Sequence, residues 1–182
     1  MIGWGRVACP TIIIGAMKNL PLYAAGLLAT STMQAYAQSE ASSPHPNILF
    51  ILADDLGYAD LSCYGNEYIK TPVIDQLAAT GARFTRCYAG SAVSSPSRCT
   101  LMTGKHTGHS TIRDNFVLAG GIEGKKGEQT IRRMHLLESD TTIADVLRAA
   151  GYRTCLVNKW HLDGFNPEAT PLNRGFDEFY GW

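Results

Sequence analysis

The sequence predicts an α/β fold built on a doubly wound, mostly parallel sheet. Two observations carry that expectation. The run Asn47-Ile48-Leu49-Phe50-Ile51-Leu52-Ala53 is almost continuously apolar over the length of one strand, the pattern of a strand covered by helices on both faces. A helix-then-strand phrase then occurs twice, with Thr71, Asp75, Leu77, Ala79, Gly81 and Arg83 answered by Thr141, Asp145, Leu147, Ala149, Gly151 and Arg153. Two copies do not make a solenoid. Successive units of one layered sheet each need a cap, an apolar stripe and a glycine stop, and that need explains the echo.

Along the chain, the first segment reads as an export signal spanning residues 1–37. Lys18 precedes an apolar run from Leu20 to Ala29, and Ala35-Tyr36-Ala37 has the small-x-small form of a cleavage site before Gln38. A second apolar patch, Thr11 to Ala16, precedes this complete signal, so Met17 is an alternative start. The apolar run is too short for a stable membrane span. Residues 38–46, rich in Ser and Pro, read as a linker, and residues 47–182 as the folded domain portion. Within it, Thr71-Pro72 predicts a helix start, Val73, Ile74, Leu77 and Ala78 its apolar stripe, and Gly81 its end. Ala82 to Tyr88 and Tyr152 to Asn158 read as strands, and Thr141-Thr142 opens the second helix. Between the two units, Thr103 to Asp140 is polar, Gly-rich and basic, with His106, His109, Arg113, Lys125, Lys126, Arg132, Arg133 and His135. A stretch of this kind is a solvated surface or a binding loop.

The formal net charge is zero over 182 residues, which gives no footprint for nucleic acid. Cys63, Cys87, Cys99 and Cys155 follow no disulfide or zinc spacing and are expected to be small buried apolar groups.

Three polar clusters each follow a predicted strand, and open α/β sheets bind ligands at the carboxyl ends of their strands. Asp54-Asp55 follows the first strand; adjacent carboxylates repel unless a cation neutralises them, and oxygen ligands suit Ca²⁺ or Mg²⁺. Ser94-Ser95-Pro96-Ser97-Arg98 opens a helix expected to start near Pro96, with Ser94 or Ser95 as its cap and Arg98 one turn in as an oxyanion partner. Lys159-Trp160-His161 follows the last strand, and in an extended chain Lys159 and His161 point to one side. The three clusters are expected to share one cleft.

Four stretches together closely resemble the sulfatase family: Leu52-Ala53-Asp54-Asp55-Leu56-Gly57-Tyr58; Ser94-x-Pro96-Ser97-Arg98 running into Leu101-Met102-Thr103-Gly104-Lys105; Lys159-Trp160-His161-Leu162; and Gly175-Phe176-Asp177-Glu178-Phe179-Tyr180-Gly181. The resemblance covers Pro46 to Trp182 and implies an alkaline-phosphatase-like fold, cut short on its C-terminal side. It also implies that Ser94 is converted to Cα-formylglycine by a serine-type maturase, and that Asp54, Asp55 and the modified Ser94 bind a divalent cation, calcium in this family. Arg98 and Lys159 would stabilise developing negative charge, and His161 would assist deprotonation of the nucleophile. Two positions depart from the family pattern: Asn158 stands where Gly usually precedes Lys-Trp-His, and Asp163 stands where Gly often follows Leu, leaving Gly164 displaced by one. The implied activity is hydrolysis of sulfate esters on a small molecule or glycan by an exported protein, periplasmic or secreted. The family's later Asp-Asn metal pair, second His and second Lys find no match here, so this stretch by itself is expected to be inactive. The alternatives are a non-catalytic truncated form or pseudoenzyme, or a phosphate or phosphonate ester hydrolase on the same fold.

Overall fold

The computed structural model describes residues 12–16 and 46–182. The proposed signal segment and linker otherwise lie outside the described residues. The chain divides into two units, Met1–Cys87 and Tyr88–Trp182.

In the first unit, strands β1 (Ile12–Ala16) and β2 (Ile48–Leu52) pair antiparallel, with Ile14 opposite Phe50. This corrects two sequence-based expectations, since β2 was read as parallel and covered on both faces. Its neighbour here is antiparallel, and Ile48, Leu49, Phe50 and Ile51 are exposed. An apolar run encodes the need to be covered, but the covering must come from other elements. Helix α1 (Pro72–Thr80) matches its predicted start and stop: Thr71 is the N-cap, Pro72 the first helical residue, and the Gly81 N–H donates to the Leu77 carbonyl. The start is pinned by Asp75, which accepts from Ser62 Oγ at 2.6 Å and from Thr71 Oγ1 at 3.1 Å. The hydrogen bond from Ser62 is the main reason its carboxyl lies below the ordinary value. Ala82 to Tyr88 is not a strand. Its backbone is held by side chains instead, with Tyr64 Oη donating to the Phe84 carbonyl at 2.9 Å.

In the second unit, helix α2 (Ser94–Thr103) is followed by a hairpin of β3 (Ile122–Lys126) and β4 (Gln129–Arg133). The hairpin lies inside the stretch read as irregular. Its signal was Gly127-Glu128 between paired Lys126 and Gln129, and Gly127 has φ 61°, the left-handed value a two-residue turn asks of its first residue. Helix α3 (Ile143–Ala149) opens with a reciprocal cap: Thr142 Oγ1 accepts from the Asp145 N–H, and the Asp145 carboxylate accepts from the Thr142 N–H. Strand β5 (Cys155–Asn158) pairs parallel with β6 (Glu178–Gly181), so the second helix-then-strand phrase is realised and its partner comes from the stretch Gly175 to Gly181. Among the described residues the strands form three separate two-stranded ladders.

The core of this unit comprises Cys99 and Met102 from α2, Ile112 and Leu136 from the connecting stretch, Ala144 from α3, and Trp160, Leu162 and Phe176. Of the four cysteines, Cys99 alone is fully buried; Cys87 and Cys155 are exposed and Cys63 is half-buried, so the buried-apolar reading holds for Cys99 only. None of the four is in a disulfide. Among the described residues no helix is long and apolar enough to cross a membrane.

Candidate active site

Ser94 is the first residue of α2, and the N-cap is Val93, in extended conformation. The expected capping role of Ser94 or Ser95 is therefore overturned: the helix starts two residues before Pro96, and Val93 has no side chain able to cap. The Ser94 hydroxyl is instead engaged laterally. Arg98 Nε, one helical turn on, donates to Ser94 Oγ at 3.2 Å, and His161 Nδ1 lies 3.1 Å from the same oxygen. Ser95 supports the arrangement from behind. Its N–H donates to Asn115 Oδ1 at 2.9 Å, and its buried hydroxyl donates to the His161 carbonyl at 3.0 Å.

The Lys159-Trp160-His161 segment reaches this helix by a route the sequence did not announce. Strand β5 ends at Asn158 with φ 85°, and His161 itself has φ 59°, so the chain is not extended there and the alternation argument for Lys159 and His161 fails. What aims the segment is burial of the residue between them. Trp160 is buried, its Nε1 donates to the Ala169 carbonyl at 2.9 Å, and its ring meets Phe176 edge to face at 5.9 Å. With the indole fixed inside, the flanking residues are left facing α2: the Lys159 carbonyl accepts from Arg98 Nη1 at 2.8 Å.

Asn158 and Gly164 explain both departures from the family pattern. A left-handed backbone favours Gly and tolerates Asn, so Asn158 occupies a position where Gly would be unstrained. After Leu162, the left-handed residue is Gly164, at φ 52°, and a Cβ there would sit 2.2 Å from the Met134 carbonyl oxygen. The glycine requirement is met one residue later.

Burial pushes the His161 imidazole down to about 4, helped by the positive charges of Arg133, Lys159 and Arg98 and opposed by Asp163. At neutral pH the ring is therefore uncharged and able to take a proton. Arg133 belongs to β4, inside the basic stretch that the sequence left as a solvated surface or a binding loop.

Cys99 cannot stand in for Ser94. It faces the core, and burial raises its thiol pKa, so the thiolate is disfavoured.

Asp54 and Asp55 belong to the first unit. They follow β2 in a bend, with Asp55 at φ 57°. Their donor chemistry, oxygen alone, fits a hard divalent cation. Among the described residues no group of three or more His, Cys, Asp and Glu side chains is placed to hold a metal ion.

A sulfatase family model matches residues 46–182. The chain belongs to the sulfatase family. It is 40% identical over 151 residues to human arylsulfatase D, covering 78% of this chain and 24% of that protein. It is also 40% identical over 175 residues to the N-acetylgalactosamine-6-O-sulfatase of Bacteroides thetaiotaomicron, covering 88% of this chain and 32% of the relative. Among solved structures, Ps i-CgsB in complex with k-i-k-neocarrahexaose superposes with a TM-score of 0.57 at 35% identity, over 71% of this chain and 26% of that one. The sulfatase fold, alkaline-phosphatase-like, is thus the fold of this chain, which spans about a quarter to a third of the length of these curated relatives.

Proposed function

We propose that this chain is the N-terminal, nucleophile-bearing part of an exported sulfatase that hydrolyses sulfate esters on glycans. The observation that carries the reading is the Ser94 hydroxyl, held between Arg98 Nε and His161 Nδ1. Oxidised by a serine-type maturase to formylglycine and hydrated, this position supplies two hydroxyls on one carbon, one to attack sulfur and the other to let the sulfated enzyme expel sulfate. Arg98 orients the nucleophilic oxygen and, with Lys159, compensates negative charge gathering on the transferring group. Neutral His161 accepts the proton from the attacking hydroxyl at Nδ1. Asp54 and Asp55, with the modified Ser94, are the proposed ligands of calcium, which would polarise a sulfate oxygen.

The glycan assignment is supported by the relative named for N-acetylgalactosamine 6-sulfate and by the neighbour solved with neocarrahexaose. Export is supported by the signal-like segment before Gln38.

The test is peptide mass spectrometry on protein from its native host. The peptide containing Ser94 is expected to be lighter by two hydrogens and to react with a hydrazide. Unmodified serine in all material that hydrolyses a sulfate ester would end the nucleophile assignment.

A further inference from the structure

The β3–β4 hairpin places two cations on one aromatic ring beside the site. The Arg133 guanidinium lies 5.4 Å from the centre of the Phe116 ring and 5.1 Å from that of Phe165, and Lys126 Nζ lies 5.0 Å from Phe116. The other two cations of the hairpin have partners of their own: Arg132 pairs with Glu123 at 3.2 Å, and Lys125 Nζ donates to Thr130 Oγ1 at 2.7 Å. Arg133 Nε is buried without a hydrogen-bond partner among the described residues. Aromatic faces attract cations but do not satisfy their N–H groups, and two like charges at one ring repel.

Both rings are tied to the residues around Ser94. Phe116 follows Asn115, whose side chain accepts from the Ser95 N–H. Phe165 follows His161 by four residues on the loop whose Leu162 carbonyl accepts from the Leu136 N–H, and its ring packs against Gly124 of β3. The charge of Arg133 is felt at His161.

We propose that Phe116, Phe165, Lys126 and Arg133 form a subsite for a second anionic group on the substrate, a carboxylate or sulfate on the alcohol part of the ester. This rests on the sulfatase reading and adds to it a preference for polyanionic substrates. The rings fix the guanidinium in place, the anion would accept from its terminal Nη groups, and Lys126 supplies the second charge.

The test uses the complete protein carrying Ser94→Ala, so that binding is measured without turnover. The probes are a monosulfated disaccharide containing a uronic acid, the same compound as its methyl ester, and a disulfated disaccharide. Calorimetry is expected to show the uronate or the disulfated compound bound about tenfold more tightly than the methyl ester, the size expected of a charge-assisted pair. Adding Arg133→Gln should bring that ratio to about one. A purely structural role for Arg133 would lower all affinities together and leave the ratio unchanged, which overturns the proposal. Lys126→Gln, at an exposed position, should shift the ratio in the same direction and serves if Arg133→Gln fails to fold. A ratio near one for both anionic probes before Arg133 is changed also overturns the subsite. Absence of sulfate ester hydrolysis by the complete protein taken from its native host with position 94 converted to formylglycine would count against the proposed function and leave the binding ratio standing.

Discussion

At the residue scale, the site depends on side chains whose backbones are in unusual conformations. Asn158 and His161 lie in the left-handed region, at φ 85° and 59°, where a residue with a Cβ is strained unless its surroundings hold it. For His161 the hold comes from Ser95 Oγ, which donates to its carbonyl, and from the buried Trp160 next to it. Asn158 has the milder form of this strain because its short amide side chain tolerates the region. Replacing it with Gly is expected to leave stability equal or slightly raised, whereas Asn158→Val should cost about 1–2 kcal/mol. Urea midpoints of the three proteins check this; an unchanged midpoint for the Val variant would mean that the left-handed backbone at 158 is not retained in the folded protein.

At the element scale, the two helix-opening phrases differ in how they are closed. Sequence matching aligned Thr71 with Thr141, yet the cap of α3 is Thr142. Thr142 is buried and does two jobs: its Oγ1 accepts from the Asp145 N–H and donates to the Arg174 carbonyl at 2.9 Å. Gly175, next along, has φ 89°, and a Cβ there would meet the Asp145 nitrogen at 2.3 Å, so the tail bearing β6 is fitted closely against the start of α3. Thr142→Ala is therefore expected to cost about 2 kcal/mol, the upper part of the range for a lost N-cap. Thermal unfolding of the complete protein reads the loss. A destabilisation no larger than that of an exposed Thr80→Ala control would show that the cap is not supporting the fold. Sequence-based reasoning placed this helix because cap, stripe and stop are local signals. It missed the β3–β4 hairpin, where only Ile122 and Ile131 among the strand residues are apolar and no alternation advertises a covered face.

At the scale of the whole molecule, a buried carboxylate in the second unit makes its stability depend on acid pH. Asp140, nearly inaccessible, accepts from Lys105 Nζ and from the Leu137 N–H at 3.0 Å. Burial alone would raise its carboxyl pKa, but hydrogen bonds from Lys105, Thr111 and Leu137, with the Lys105 charge, outweigh that and hold it below the ordinary 3.8. The folded state thus binds fewer protons than the unfolded state as this group titrates. Its stabilising contribution is present above about pH 4 and is lost as pH falls through the depressed folded value. Asp177, whose carboxylate accepts from the Thr154 N–H and hydroxyl, is displaced in the same direction. Asp140→Asn is expected to lower stability at neutral pH and to flatten the loss of stability below pH 4, as read from urea midpoints across an acid series. An equally steep acid limb in the variant would remove Asp140 from the account.

The sequence by itself determined the family, the places of helices α1 and α3 and the β5 strand, because helix-start residues, glycine stops, apolar runs and short motifs are local properties of a chain. Only the tertiary structure decided that Ser94 opens its helix uncapped, that Trp160 rather than strand alternation aims His161, and that Arg133 stands near them. Those three facts depend on which distant segments pack together, and β2 illustrates the limit. Its apolar residues state that they require cover, but no local pattern specifies which segment supplies it or in which direction that segment runs.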